Sequence, residues 1–227
     1  MESKTENVNL ADYLKPTKMC DSDNQIVIQK AQVLTENAST DKEKAKAIFY
    51  FIRDEIEFYM DPFFGTASNT LKKGGGFCVP KANLQIALLR VINIPARYHI
   101  VHLKAECTNP LFPKWIIKNF PPIIDHHSTC ECYLNGKWIA CDATLDKELI
   151  ECAKTKGLYD QESFSQIDWD GENDLEIFNP WKVDEVGYFA NLDDFWRDTI
   201  KRCYSPKFMM KMFLPFGNKS IKSIRSH

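Results

Sequence analysis

Hydrophobic positions recur at helical spacing in three stretches of the N-terminal half. The first runs from about Asn24 to Thr35, with Asp21, Ser22 or Asp23 placed to cap it. The second carries Ala45, Ile48, Phe49, Ile52 and Ile56, and Thr40 with Glu43 has the spacing of a capping box at its start. The third follows Gly74-Gly75-Gly76-Phe77-Cys78-Val79-Pro80 and is apolar over one broad face as far as Arg90. Pro80 suits the first turn of that helix, where its missing N–H would have no partner. The helix is expected to stop near Asn93, before Ile94-Pro95. The pattern then switches to strand over Ala96–Leu103, and again over Ser128–Leu134 and Lys137–Cys141. Asn135-Gly136 between the last two predicts a two-residue hairpin turn, because both residues accept positive φ.

The remaining chain reads as connection. Residues 1–20 form an arm with a short helix-like patch ending near Lys15-Pro16, and Tyr59–Lys73 is expected to be a loop. Lys104–Asp125 holds four prolines and no clean period, so it is expected to cross the surface as an extended loop. Beyond Asp146 the sequence is polar and irregular until Asn191, where a capped helix is expected to reach about Cys203. The run Phe208–Leu214 is apolar but broken by Lys211, and is read as a buried or docking segment. Lys219, Lys222 and Arg225 lie among serines in what is expected to be a solvated, frayed tail. Helices followed by an antiparallel hairpin define an α+β fold.

Composition narrows the function classes. The chain has 227 residues, enough to bury a core without staples, and a formal net charge of −2, which exerts no global pull toward nucleic acid or an anionic membrane. The polar N-terminus lacks the apolar core of a signal peptide, and no apolar stretch is long enough to span a bilayer; a cytoplasmic location is expected. Eight cysteines at 20, 78, 107, 130, 132, 141, 152 and 203 are then read as reduced thiols. Their spacing contains no CxxC pair, so no metal is expected, and Asp168–Asp174 lacks the full spacing of a calcium loop and reads as a solvated acidic loop. No cofactor is expected.

One thiol is set apart by its position. Cys78 follows three glycines and opens a helix, where unpaired N–H groups and the positive end of the helix dipole stabilise a thiolate. The glycines would let another backbone, such as a substrate, approach closely. The hairpin supplies the other groups. With a two-residue turn, Leu134 faces Lys137, and counting outward Thr129 faces Asp142 and His127 faces Thr144. Alternation then puts His127, Thr129, Glu131 and Tyr133 on one face with Asp142, Ala140 and Trp138. His127 and Asp142 become diagonal neighbours, about 7–8 Å apart along the backbone. His126 points to the other face unless a bulge at the strand start reverses the parity. That other face presents Cys130, Cys132, Leu134, Ile139 and Cys141, a set expected to be core.

Gly76-Phe77-Cys78, a helix, and Leu89-Arg90 followed by Ile94-Pro95-Ala96-Arg97 resemble the nucleophile segment of the transglutaminase-like superfamily. His127-Ser128-Thr129-Cys130-Glu131-Cys132-Tyr133, ending at Trp138, resembles its histidine segment, and Cys141-Asp142-Ala143-Thr144 resembles its aspartate segment. The likeness covers residues 40–146, in the order Cys, His, Asp. It departs from the family pattern at Asn93, which stands in place of glycine, at Ser128-Thr129 in place of Ala-Trp, and at Ala143 in place of proline. The resemblance implies a papain-like core, with N-terminal helices on an antiparallel sheet. It divides the chain into an arm and helix (1–39), a catalytic core (40–150) and a C-terminal extension packing on the core (151–227). It implies a catalytic triad of Cys78, His127 and Asp142 and a thioester intermediate on a peptide, protein or small amide substrate. Water as acceptor, the expected case, gives a peptidase or amidase; the alternative, an amine acceptor, gives a protein-glutamine transglutaminase. A non-catalytic peptide-binding scaffold, and an acyltransferase for small molecules with a pocket closed by Trp115 or Trp181, stay open as readings. The backbone N–H of Cys78 supplies half an oxyanion hole, with Tyr59 and Asn69 as candidates for the rest. The natural substrate and the oligomeric state stay open.

Overall fold

The computed structural model describes residues 9–61, 65–119, 121–195 and 207–226. Three N-terminal helices are α1 (Gln25–Thr35), α2 (Asp41–Asp54) and α3 (Ala67–Lys73), followed by the nucleophile helix α4 (Cys78–Val91). Strands β1 (Glu57–Phe58) and β2 (Gly75–Gly76) pair in parallel just ahead of α4. The main sheet is antiparallel and contains β3 (Ala96–Lys104), β4 (Ile123–Leu134), β5 (Lys137–Ala140) and β6 (Lys182–Phe189), in the order β5-β4-β3-β6. Short α5 (Lys114–Ile117), α6 (Lys147–Thr155) and α7 (Lys207–Arg225) complete the elements used below. The fold is α+β, with the N-terminal helices packed against an antiparallel sheet.

Local chemistry explains the element ends. Asn24, rather than the three residues before it, caps α1, its side chain accepting from the N–H of Ile26. Thr40 and Glu43 form the expected capping box on α2. Asn93 takes a left-handed φ of 60° after α4, a conformation that asparagine tolerates better than most residues. The core joins the inner faces of α2 and α4 to Tyr98, Ile100, Cys130, Cys132, Ile139 and Cys141 of the sheet.

Four expectations need correction. The segment expected to be a loop over Tyr59–Lys73 contains α3, started by the Thr66 cap and ended by Gly74 at φ 68°. The Lys104–Asp125 segment is not extended throughout, since it holds two single-turn 3-10 helices and α5. The stretch after Asp146 is not irregular, because it forms α6 and the edge strand β6. The tail is not frayed: it is the end of α7, with Ile221 and Ile224 buried and Arg225 bonded to Asp146 and to the carbonyl of Phe58. The helix expected from Asn191 starts with that residue's side chain accepting from the N–H of Asp193, and its continuation to Cys203 lies outside the described residues. Of the apolar run Phe208–Leu214, Leu214 is buried, and α7 spans the whole run.

Candidate active site

The glycine segment fixes where α4 begins. Gly75 and Gly76 are extended and paired with Glu57 and Phe58. A Cβ on Gly75 would lie 2.5 Å from the Tyr59 ring and 2.6 Å from the carbonyl oxygen of Glu57, and one on Gly76 would lie 2.8 Å from the Pro80 ring. The bare faces of these glycines are therefore taken up by the protein's own packing, not kept open for a substrate backbone. Phe77 is the N-cap of α4 without a side-chain cap bond, and the Lys81 N–H is bonded to the Phe77 carbonyl. Pro80 has no N–H, so the first-turn donors left without an intrahelical acceptor belong to Cys78 and Val79. Cys78 sits half-buried there, at the positive end of a fourteen-residue helix.

The hairpin forms in the expected register. Leu134 faces Lys137, Tyr133 faces Trp138, Cys132 faces Ile139 and Glu131 faces Ala140, around Asn135 and Gly136 at φ 52° and 83°. One further bond in the same register joins the Cys141 N–H to the Cys130 carbonyl at 2.9 Å, and there the pairing ends, so Thr129 does not face Asp142 across a ladder. Cys141 also bridges Leu175 in parallel, and the Asp142 N–H is bonded to the Leu175 carbonyl at 3.0 Å. Asp174 assists by accepting from the Ala140 N–H. Gln85, two turns along α4 from Cys78, donates to the Cys141 carbonyl at 2.9 Å. The helix that carries the thiol is thus fastened directly to the residue before Asp142.

A bulge does occur in β4. Val101 faces His127, while Leu103 faces Ile124, so the extra residue falls between Ile124 and His127. It lies outside the hairpin side of His127, and the alternation from His127 through Thr129 to Glu131 survives. His127 is buried, with its ring edge-to-face on Phe178 at 4.7 Å. His126 is partly exposed and pairs with Asp125.

The structure brings Cys78, His127 and Asp142 together. His127 Nε2 stands 3.6 Å from Asp142 Oδ2, and Cys78 is near enough to the same ring to influence its charge. A separation of 3.6 Å is longer than a formed hydrogen bond, as is common for acid–base pairs without substrate. Burial opposes charge on His127, but the neighbouring Asp142 and Cys78 side chains outweigh it and raise its pKa from 6.5 to about 9. Asp142 is also buried, and its other oxygen accepts from the Thr144 N–H at 2.9 Å. Burial, with the nearby charge of Cys78 adding to it, pushes Cys107 up to about 12. Cys130 and Cys141 are likewise held in the thiol form, chiefly by burial.

Tyr59 lies against Gly75, three residues before the thiol, and Asn69 is exposed on α3. Trp115 is exposed and contacts Phe213 and Phe216. Trp181 packs on Phe164 and Phe178, so it belongs to the aromatic cover over His127. Sequence reasoning missed that cover and the Asp174–Leu175 clamp. Neither carries a local signal, since both act through tertiary contact across more than thirty residues of chain. Nor is Asp168–Asp174 simply solvated: Trp169 is buried within it, and Asp168 and Glu172 pair with Arg53 and Lys42. Among the described residues, no group of three or more His, Cys, Asp or Glu side chains could hold a metal ion, and no helix is long and apolar enough to cross a membrane.

Comparison with known proteins reaches the level of the family. No curated protein matches the chain. A solved structure described as a "putative cysteine protease" from Cytophaga hutchinsonii is similar over 62% of this chain and 43% of its own, at 26% identity and a TM-score of 0.48. A "putative protease" from Parabacteroides distasonis is similar over 60% of this chain and 25% of its own, at 16% identity and a TM-score of 0.39. The chain spans less than half the length of either. The model of the transglutaminase-like superfamily matches residues 28–143, the stretch that holds Cys78, His127 and Asp142. The chain belongs to the transglutaminase-like superfamily.

Proposed function

We propose that the chain is a cysteine-dependent acyl-transfer enzyme acting on amide or peptide bonds, with water as its usual acceptor. The observation that carries this reading is the position of His127, buried between Asp142 and Cys78 and held cationic up to about pH 9, with the thiol at a helix N-terminus.

Cys78 Sγ, as thiolate, attacks the carbonyl carbon, and the oxygen takes up the displaced electron pair. The unpaired N–H groups of Cys78 and Val79 face the charge that develops there. The carbonyl re-forms as the C–N bond breaks, and His127 gives its proton to the leaving amine, leaving a thioester on Cys78. His127 then takes a proton from water, whose oxygen attacks the thioester; the acid departs and the thiolate–imidazolium pair is restored. Asp142 holds the ring orientation and balances its charge. Phe178 covers the His127–Asp142 contact, which strengthens it by excluding solvent. Cys78 is half-buried at the surface, where water competes readily with any amine acceptor.

The test is turnover of a mixed library of peptide amides and glutamine-containing peptides, with and without a primary amine. Release of acid or ammonia at a rate insensitive to the amine supports hydrolysis. Incorporation of the amine in preference to water would make the protein a transglutaminase, and the absence of any Cys78-dependent turnover would favour a binding scaffold.

The pH dependence has a defined sign. The His127 pKa is raised on folding, so its charged form and the stability that goes with it are fully present below about pH 6.5 and lost as pH rises through about 9. The kcat/KM profile is expected to fall on its alkaline side near pH 9, because the neutral ring can no longer protonate the leaving amine. An alkaline limb near pH 7 would contradict the Asp142 contact.

A further inference from the structure

Beside His127 and Asp142 lies a small, half-enclosed cavity of about 10 Å³, which those two residues line together with His99, Thr129, Phe178 and Asn179. That volume matches a single water. Four of these residues carry a buried polar atom with no hydrogen-bond partner among the described residues: His99 Nδ1, Thr129 Oγ1, His127 Nε2 and Asp142 Oδ2. Unpartnered buried polar groups are rare and costly, and four around one water-sized space form a built polar site.

We propose that this cavity binds one ordered water that bridges the triad to Thr129 and His99, making those two side chains positioning residues for the Asp142–His127 pair. The proposal rests on the catalytic reading above. His99 Nε2 lies 2.7 Å from Glu185, which fixes the ring. A water has two donors and two acceptors for the four atoms. It donates to Asp142 Oδ2, accepts from the His127 Nε2–H, and shares its remaining donor and acceptor between Thr129 Oγ1 and His99 Nδ1. Asp142 is then held at both oxygens, by the Thr144 N–H on one and by the water on the other. His99 itself is fixed by stacking on Tyr188 at 4.6 Å and by Glu131 and Glu176 at 3.7 and 3.6 Å from Nδ1. Glu131 is in turn held by Arg97 at 2.7 Å, and Glu176 and Glu185 by Lys182. The rigid anchor of the water is therefore this charged cluster on β3, β4 and β6.

A high-resolution crystal structure of the wild-type protein, together with iodoacetamide labelling of Cys78 at pH 6 in Thr129→Val and Thr129→Ser, tests the proposal. Expected are electron density for one water within hydrogen-bonding distance of Thr129 Oγ1 and Asp142 Oδ2, and labelling slowed about threefold to tenfold in Thr129→Val, the size of one net hydrogen bond. Thr129→Ser, which keeps the hydroxyl, is expected to restore the rate; a purely steric role for Thr129 would give the reverse order. A cavity without water density, or Thr129→Val labelling at the wild-type rate, overturns the inference. If wild-type Cys78 is not selectively labelled, the catalytic reading fails, while the density in the wild-type crystal still decides whether the water site exists.

Discussion

Replacing Cys78 by alanine is expected to abolish amide turnover while leaving the fold intact, and replacing His127 by alanine is expected to lower kcat/KM by about 10⁴-fold or more. The two variants should separate in stability. Cys78 is half-buried at a helix start and makes no structural hydrogen bond that the helix needs, so its loss falls within about 1 kcal/mol, as for an ordinary surface change. His127 is different, because it is the cationic neighbour of a buried carboxylate. Without the ring, the buried Asp142 carboxylate keeps the Thr144 N–H but loses its cationic neighbour, in a site packed under Phe178. Removing one member of such a pair costs about 3–5 kcal/mol. Chemical denaturation alongside kcat/KM measures both effects. A His127→Ala protein that keeps a tenth or more of its activity would remove the ring from the chemistry.

The second large effect lies outside the triad, at Asp146. Its carboxylate is buried and accepts from the Leu149 N–H, where it caps α6, and from the Phe58 N–H at 2.7 Å. It also pairs with Arg225 from the end of α7 and faces the fully buried Lys81, whose ammonium donates to the Ile56 carbonyl at 2.5 Å. Four parts of the chain thus converge on one side chain: the β1 segment that supports the glycines before Cys78, α4, α6 and α7. Burial brings the Lys81 pKa down to about 8, with Asp146 as the main charge opposing the fall. Asp146→Ala leaves two cations without their carboxylate and a helix without its cap, and is expected to destabilise the protein by about 3–5 kcal/mol. Burial raises the Asp146 pKa, but Arg225 and Lys81 outweigh it, so the folded-state value is lowered. Its contribution to stability is then present above the ordinary carboxylate range and lost as pH falls through the lowered value. Denaturation midpoints of wild type and Asp146→Ala should therefore converge in acid, whereas a constant difference down to strongly acidic pH would contradict the pairing.

Asn218 shows why the C-terminal helix escaped a reading by pattern. Its amide donates to the Met60 carbonyl and accepts from the Met60 N–H, both at 2.8 Å, and Gly217 lies against Phe112. Such contacts depend on partners more than a hundred residues away, and the Lys- and Ser-rich tail has the composition of a frayed end. Strand β6 was hidden for a related reason. Its Val183, Val186 and Tyr188 are exposed at an edge, and Glu185 points inward to His99, so no apolar alternation marks it. Helix α3 is only seven residues long and is set by its ends, Thr66 and Gly74, more than by an apolar stripe. By contrast, the placing of His127 beside Asp142 was legible, because Asn135-Gly136 admits one turn type and the register then follows by counting. The count ran out after Cys141, whose N–H still reaches the Cys130 carbonyl and which also bridges Leu175. The two residues still meet, since the clamp at Asp174 and Leu175 holds Asp142 on the side that the hairpin would have given it.

The most direct test of the central claim is alkylation of the native protein by iodoacetamide from pH 5 to pH 10, with labelled cysteines located by peptide mass spectrometry. Rapid labelling confined to Cys78 at pH 6, with the buried Cys107, Cys130 and Cys141 unreacted and the Cys78 rate cut by His127→Ala, is the predicted result. Labelling of Cys78 that is indifferent to His127, or no faster than that of an ordinary exposed thiol, would contradict an activated Cys78–His127 pair.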